Sequence, residues 1–333
     1  MDTTRNNTKE IIAYLETKFN GDEDHDVEVI QEYCRTLDRT KDNVDIVMAL
    51  GRYSAEKFPN SKAVQNAKKI EEAFDIFQKK LQSAQELLKE KKYEEAVVAF
   101  DELIGENTPV ESDEKHYYSF GHPFEETLCK MYFNDDKPIE RISGLPMALY
   151  YQKAAALFDL KRYDEAKATY GHCTKLNPVD VRTWLELAQI AKAQGNYDEV
   201  GEILKKIHPF IYTRHFLARF YREHAALAMI KENYQLAVAL TYISMDYEDS
   251  APARAALNSL AKHRGVDLSK PSIDKIKSML NEAGIPVGPA QQVYELALQI
   301  GMSMKKTYPQ IARMAFAIAY DITHYEPLLK ELQ

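Results

Sequence analysis

The fold of this chain is decided by the stretch KRYDEA at residues 161–166, which returns three times along the sequence. The related stretches keep its tyrosine and are KKYEEA at 91–96, GNYDEV at 195–200 and ENYQLA at 232–237. The intervals between successive tyrosines, at positions 93, 163, 197 and 234, are 70, 34 and 37 residues. Since 70 is twice 35, the spacing indicates a repeat of about 35 residues, which is the length of one helical hairpin.

Each repeat is predicted to contain two helices on either side of this tyrosine. In residues 181–214, Trp184, Leu187, Ala188 and Ala191 follow the spacing that places side chains on one face of a helix. Gly195 then ends the first helix, because glycine accepts a positive φ angle. We expect Trp184 to be buried between helices, and Ala154, Ala188 and Ala225 to lie where two helices approach closely.

The pattern resembles the tetratricopeptide repeat. The match is most complete in residues 147–180, which carry Tyr150, Ala154, Tyr163, Ala166, Tyr170, Cys173 and Pro178 at the family's positions. Residues 181–214 depart from it at Val200, Leu204 and Ile207. The resemblance implies an all-α fold, a right-handed superhelical solenoid of helical hairpins with helical caps at its N- and C-terminal ends.

The repeat spacing divides the chain into three regions. Residues 1–76 are predicted to be a helical cap or bundle, and residues 252–333 a helical region with a degenerate hairpin at 290–322. The repeats between them occupy 77–251, as units 77–110, 111–146, 147–180, 181–214 and 218–251. Unit 111–146 is expected to be degenerate, because a helix at 123–133 is followed by a stretch that contains two prolines and a glycine.

Composition and charge agree with a helical protein inside the cell. Hydrophobic residues make up 45% of the 333 residues, and glycine (12) and proline (13) are scarce for an all-β fold. The formal net charge of −8 argues against a dedicated nucleic-acid-binding protein. Three cysteines without paired spacing predict reduced thiols, and the first ten residues contain no apolar signal core. We therefore expect a cytoplasmic protein without a membrane-inserted segment.

No motif in the sequence predicts catalysis or a cofactor. The chain contains no pair of histidines or cysteines at metal-binding spacing and no glycine-rich phosphate loop. We therefore expect no catalytic residue, no metal and no cofactor. One aromatic stretch, HYYSFGHPF at 116–124, has two interpretations. Its aromatic side chains either fix the degenerate unit to the repeats or form a recognition loop beside the binding groove.

The predicted binding face is the concave surface formed by the first helix of each repeat. Removing the packing positions leaves a stripe on each first helix, and the stripes of the last three repeats include Ala148, Leu185 and Ala226 beside the candidate binding residues. Those candidates are Tyr151, Phe158, Arg182, Gln189, Lys192, Arg219, Arg222 and Met229. We expect the guanidinium groups of the three arginines to be free for a carboxylate. The alternative is that they pair with Glu186 or Glu223 of neighbouring repeats.

The resemblance implies a non-enzymatic scaffold or adaptor that binds a peptide or protein segment, here one with acidic and hydrophobic residues. An alternative is a peptide-sensing intracellular regulator whose repeats change conformation when the ligand binds. A third hypothesis is an enzyme with its active site in the flanking regions. The clamp with which co-chaperone members of the family hold chaperone tails is not expected, because Ala155, Glu186 and Glu223 occupy positions of its basic and amide residues.

Overall fold

A computed structural model describes residues 2–38, 41–107, 113–133, 136–263 and 265–332. The described chain is helical apart from two short strands, which confirms the all-α helical-repeat fold. It forms two compact units, Met1–Ser83 and Ala84–Gln333. The predicted border at residues 76 and 77 falls inside one long helix. Within the described residues, no helix is long and apolar enough to cross a lipid bilayer.

The first unit contains three helices and most of a fourth. They are α1 (Asp2–Glu16), α2 (Glu23–Arg35), α3 (Lys41–Lys57) and α4 (Lys62–Lys89), the last of which continues into the second unit. Apolar side chains from all four form a small core that includes Leu15, Ile30, Leu50 and Val64. Asp22 caps α2 by accepting a hydrogen bond from the backbone N–H of His25 at 3.0 Å.

The second unit begins with one helix and an irregular segment. Helix α5 (Tyr93–Glu106) is followed by β1 (His116–Tyr118), α6 (Pro123–Tyr132) and β2 (Ile139–Arg141). The two strands pair in parallel, with Tyr118 opposite Arg141. A single helix is therefore described in 111–146. The last three residues of the predicted unit 77–110, which include Pro109, lie outside the described residues.

Three regular hairpins follow in the second unit. Their helices are α7 (Leu145–Asp159) with α8 (Tyr163–Leu176), α9 (Val181–Ala193) with α10 (Tyr197–Ile207), and α11 (Arg214–Ile230) with α12 (Tyr234–Tyr247). A 3-10 turn at His208–Phe210 precedes α11. The chain then continues through α13 (Ala251–Leu260), α14 (Ile273–Glu282), α15 (Gln291–Met304), α16 (Pro309–Thr323), a 3-10 turn at Glu326–Leu328 and α17 (Leu329–Leu332).

The repeat tyrosines each begin the second helix of a hairpin. Two residues before each tyrosine the backbone is left-handed, with φ of 62° at Lys91, 62° at Lys161, 76° at Gly195 and 57° at Glu232. This conformation ends the first helix, because it lets the following N–H donate back to a carbonyl oxygen five residues earlier, as Arg162 does to Leu157 at 2.9 Å. The predicted helix break at Gly195 is confirmed.

Small and aromatic residues at the repeat positions form the core of the second unit. Ala154 and Ala188 have no exposed surface, and Ala225 retains 2%. Tyr170 and Cys173 are likewise buried in α8. The prediction that Trp184 is buried is wrong. Its ring is only half-buried, and the Lys206 ammonium lies 3.7 Å from the ring centroid.

Candidate functional site

The irregular segment is held against the repeats by the buried carboxylate of Glu125. His122 caps α6, and Glu125 three residues later completes a capping box. The carboxylate also accepts hydrogen bonds from the Gly121 N–H at 2.8 Å, the Asn177 side chain at 2.8 Å and the Tyr212 hydroxyl at 2.9 Å. One side chain thus joins the loop before α6 to the end of α8 and to the residues before α11.

The aromatic residues of the stretch at 116–124 fall into two groups in the structure. Tyr118 and Phe124 are buried, and the Phe124 ring packs 5.5 Å from that of Tyr212, so these residues fix the segment to the repeats. Phe120 instead lines an open pocket of about 470 Å³ together with the adjacent Ser119 and Gly121. The opposite wall is formed by α7 and the start of α9, with Met147, Ala148, Tyr151, Gln152 and Arg182.

Two of the predicted binding residues line this pocket, namely Tyr151 and Arg182. The guanidinium carbon of Arg182 lies 4.2 Å from the centroid of the Tyr151 ring, a cation–π contact. Asp180, the cap of α9, lies 3.8 Å from the Arg182 Nε. The Arg182 side chain nevertheless remains 47% exposed and lines the pocket. Burial and the nearby Glu186 raise the pKa of Tyr151, which keeps its hydroxyl protonated.

The other predicted cations of the stripe are not free. Arg219 forms an ion pair with Glu186 at 2.9 Å, and that carboxylate also accepts a hydrogen bond from the Tyr151 hydroxyl at 3.2 Å. Lys192 pairs with the buried Glu223 at 2.7 Å, and Gln189 donates a hydrogen bond to the same carboxylate. The expectation of free guanidinium groups is therefore wrong for Arg219, and the alternative pairing with neighbouring repeats is the one observed.

Arg222, on the same helix as Arg219, is also engaged by acceptors. Its guanidinium lies 3.5 Å from Glu248 and 3.3 Å from the hydroxyl of Ser250. Only 16% of the side chain is exposed, and burial lowers the pKa of the guanidinium. The expectation that this group is free and surface-exposed is wrong as well, since the ends of α12 and the following loop supply its acceptors.

The apolar members of the stripe belong to the core more than to an open face. Phe158 packs against Tyr163 with ring centroids 5.6 Å apart, and Met229 is half-buried against the core. Leu185, predicted to be exposed, is fully buried. Helix α9 contacts α8 and α11 as well as α10, its partner in the hairpin. Apolar side chains on more than one side of α9 are therefore buried.

Only some of the acidic and amide residues that organise this surface could be found from the sequence. Glu125, Asn177 and Tyr212 carry no motif that marks them as a cluster, since they are contributed by three separate segments. Glu186 and Glu223 do carry a signal, because each lies about one repeat from its partner on the preceding or following first helix. Within the described residues, no group of three or more His, Cys, Asp and Glu side chains is arranged to hold a metal ion.

Comparison with known proteins assigns part of this surface to a family. The model of the tetratricopeptide repeat matches residues 148–180, which comprise most of α7 and all of α8. No curated protein matches the chain. Among solved structures, the chain is similar to one in the APC/C hetero-tetramer Cut9–Hcn1, with a TM-score of 0.41 and 13% identity over 94% of this chain. It spans 59% of the length of that neighbour.

The family match and the hairpins lead to the same conclusion. The matched segment contains the left-handed turn at Lys161 and the buried Ala154, Ala166 and Tyr170, the features that pack one helical hairpin against the next. The chain therefore contains a tetratricopeptide repeat at residues 148–180 within an all-α helical-repeat fold, an architecture that in general serves protein–protein interaction.

Proposed function

We propose that the chain is a non-enzymatic scaffold that binds an extended peptide segment of another protein in the pocket between the 119–121 loop and helices α7 and α9. The observation that carries this proposal is the Arg182 side chain, 47% exposed, which lines a pocket together with apolar side chains. A peptide with an acidic residue beside a hydrophobic one fits both features.

The chemistry of the lining explains why an acidic group is preferred. The carboxylate of Glu125 is already satisfied by three neighbouring donor groups, and that of Asp180 accepts from the backbone and hydroxyl of Thr183. The Arg182 side chain is 47% exposed despite its contact with Asp180, and its planar fork suits a carboxylate. Phe120, Met147 and the ring of Tyr151 provide apolar surface for the adjacent side chain.

Among the predicted residues, Gln189, Lys192, Arg219 and Arg222 are assigned a supporting role in this proposal. The ion pairs of Lys192, Arg219 and Arg222 and the hydrogen bond of Gln189 help to hold the repeats together beside the pocket, whereas Tyr151 and Arg182 contact the ligand. The three cysteines are free thiols, which is compatible with a cytoplasmic partner in a reducing compartment.

The proposal is tested by selecting dodecapeptides from a phage-displayed library on the full-length chain. Selected peptides should combine acidic and hydrophobic residues, and their affinity should fall as salt rises above about 0.15 M, where the Debye length is ~8 Å. Arg182→Glu should weaken binding at least about tenfold, equivalent to roughly 1.4 kcal/mol. The matched control is Lys175→Glu, the same charge change at an exposed position of α8, which should leave affinity unchanged.

Equal affinity of the wild type and Arg182→Glu, or selection of basic peptides, would contradict the proposal. Thermal unfolding of both variants serves as the folding control. The double change Arg219→Glu with Arg222→Glu is a poor test, because both side chains are mostly buried in ion pairs and the change would disturb the fold.

A further inference from the structure

Two polar side chains that line the pocket have no partner within the protein. They belong to Ser119, directly after β1, and to Gln85, near the end of α4. Neither side chain forms a hydrogen bond to any described residue. The other polar side chains of the lining are engaged by neighbouring groups, and they are Glu125, Tyr151, Gln152, Asn177, Asp180 and Arg182. The pocket therefore contains unused hydrogen-bonding capacity at two positions.

Ser119 is the stronger indication of a ligand, because it is almost completely buried. Only 2% of the residue is exposed, and its backbone N–H donates to the carbonyl oxygen of Leu176 at 2.8 Å, which fixes its position. The hydroxyl is nevertheless accessible, since the only fully buried side-chain atom without a partner among the described residues is Nε2 of His224. Buried hydroxyls in proteins are normally hydrogen-bonded, so a fixed one that borders a pocket without a partner points to a ligand.

The other buried serines of the described chain differ from Ser119 in this respect. Ser54, Ser61 and Ser244 all use their hydroxyls within the fold. The hydroxyl of Ser244, for example, donates to the carbonyl oxygen of Ala218 at 2.9 Å. The missing partner is thus a property of the pocket and not of buried serines in this protein.

We propose that Ser119 and Gln85 bind the main chain of the peptide, an inference that rests on the function proposed above and deepens it. A hydroxyl and a carboxamide are neutral groups that can both donate and accept, as a peptide group does. An extended segment has no internal hydrogen bonds, so every N–H and C=O that it buries needs a partner in the pocket. The ligand is an extended peptide whose main chain is held by Ser119 and Gln85 and whose acidic side chain is held by Arg182.

A helical ligand fits this chemistry poorly. Its peptide groups are hydrogen-bonded within the helix except in the first and last turns, so a helix that covers Ser119 would leave the hydroxyl unpaired. Main-chain contacts are also independent of the sequence of the ligand. We therefore expect Arg182 and the apolar lining to determine which side chains the pocket accepts, and Ser119 and Gln85 to determine that the ligand is extended.

The first test compares two serine variants of the full-length chain in binding a dodecapeptide selected on the wild type. Ser119→Ala should raise Kd about tenfold, because a peptide group of the ligand loses its partner. It should not lower the thermal midpoint of the free protein, since no internal hydrogen bond is lost. The matched control is Ser244→Ala, which removes a hydroxyl bonded within the fold. It should lower the thermal midpoint and leave Kd unchanged.

The second test asks whether the main chain of the ligand is the group that is bound. Each peptide bond of the dodecapeptide is replaced in turn by an ester, which lacks the N–H donor and has a weaker acceptor carbonyl but keeps every side chain. At one position the ester should weaken binding to the wild type several-fold and leave binding to Ser119→Ala unchanged, because the hydrogen bond is already absent there. A different position should show the same dependence on Gln85→Met, a variant of similar shape.

Three results would overturn the proposal. If Arg182→Glu weakens binding but Ser119→Ala and Gln85→Met do not, the main-chain contacts are wrong and the function proposed above stands. If the effect of Ser119→Ala depends on a side chain of the peptide and on no ester, the hydroxyl binds that side chain instead. If Arg182→Glu has no effect either, the pocket is not the binding site, and both proposals fail.

Discussion

At Arg182 the guanidinium lies over the Tyr151 ring with nearly half of the side chain exposed, whereas at Arg219 it lies 2.9 Å from Glu186. Helical periodicity placed both arginines on the same stripe, because it reports only the direction in which a side chain leaves its own helix. The difference between them comes from the adjacent repeat, which supplies a carboxylate to one and an aromatic ring to the other. A sequence separation of about one repeat between an arginine and a glutamate, as between Arg219 and Glu186, is the signal that distinguishes a paired arginine from an exposed one.

Trp184 shows a second limit of prediction at the residue scale. Its position matches the large residue of the first repeat helix, but the indole is held at the edge of the core. The ring N–H donates to the carbonyl oxygen of Pro178 at 2.9 Å, and Lys206 covers its outer side. An amphipathic ring that has a backbone acceptor at the surface gains less from complete burial, and the apolar pattern does not contain that information.

His224 is expected to make the protein less stable in acid. Burial, with a smaller contribution from the nearby His208, lowers the pKa of His224 from 6.5 to about 4, and its Nε2 has no hydrogen-bond partner among the described residues. The unfolded chain therefore binds this proton more readily. The stability present above pH 6.5 is lost as pH falls towards 4. His224→Phe should reduce the dependence of the unfolding free energy on pH in this range, because phenylalanine does not titrate. The phenylalanine ring can occupy the site, since the His224 ring packs edge-on against Phe220 and its Nε2 makes no polar contact among the described residues.

The measurement is the urea unfolding free energy of the wild type and His224→Phe between pH 4 and 7. We expect the variant to be at least as stable as the wild type at pH 7, and the difference to grow to about 2 kcal/mol near pH 5. Parallel profiles of the wild type and His224→Phe would contradict this assignment.

At the scale of the helical hairpin, the sequence predicts the left-handed turn residue in one repeat but not in the others. All four repeat turns contain a left-handed residue two positions before the tyrosine, but only one of these residues is glycine. The glycine at Gly195 could be recognised from its conformational freedom. Lys91, Lys161 and Glu232 could not, since lysine and glutamate adopt this conformation only when the packing of the two helices requires it.

Gly195→Ala and Gly201→Ala are therefore expected to have opposite effects on stability. At both positions an added methyl group would meet no atom of the described chain within 4 Å, so backbone conformation decides the result. Alanine at the left-handed Gly195 should destabilise the protein by about 1–2 kcal/mol. Alanine at Gly201, in the middle of α10, should stabilise it by about 0.5–1 kcal/mol. Chemical denaturation measures both, and changes of the same sign would show that the turn geometry is wrong.

At the scale of the whole chain, the repeat period and the irregularity of residues 111–146 could be predicted, but the way in which this segment packs on the repeats could not. The nearly constant interval between tyrosines is visible in a single sequence, because every repeat packs against its neighbours in the same way. The segment between α5 and α7 does not follow the repeat, and its packing depends on hydrogen bonds among Glu125, Asn177 and Tyr212, which are far apart in sequence. The pocket exists because this segment ends beside α7, so neither its volume nor its lining follows from periodicity.

The central claim is that a protein segment binds in this pocket, and the most direct measurement is photo-crosslinking to a selected peptide. In one variant, a photoreactive side chain replaces Ala148, an exposed residue of α7 that lines the pocket. In a second variant of the same chain, it replaces Ala168, an exposed residue of α8 in the same repeat. We predict a crosslinked product from position 148, lost when Arg182→Glu is added, and none from position 168. A crosslink from position 168 alone, or equal yields from both positions, would contradict it.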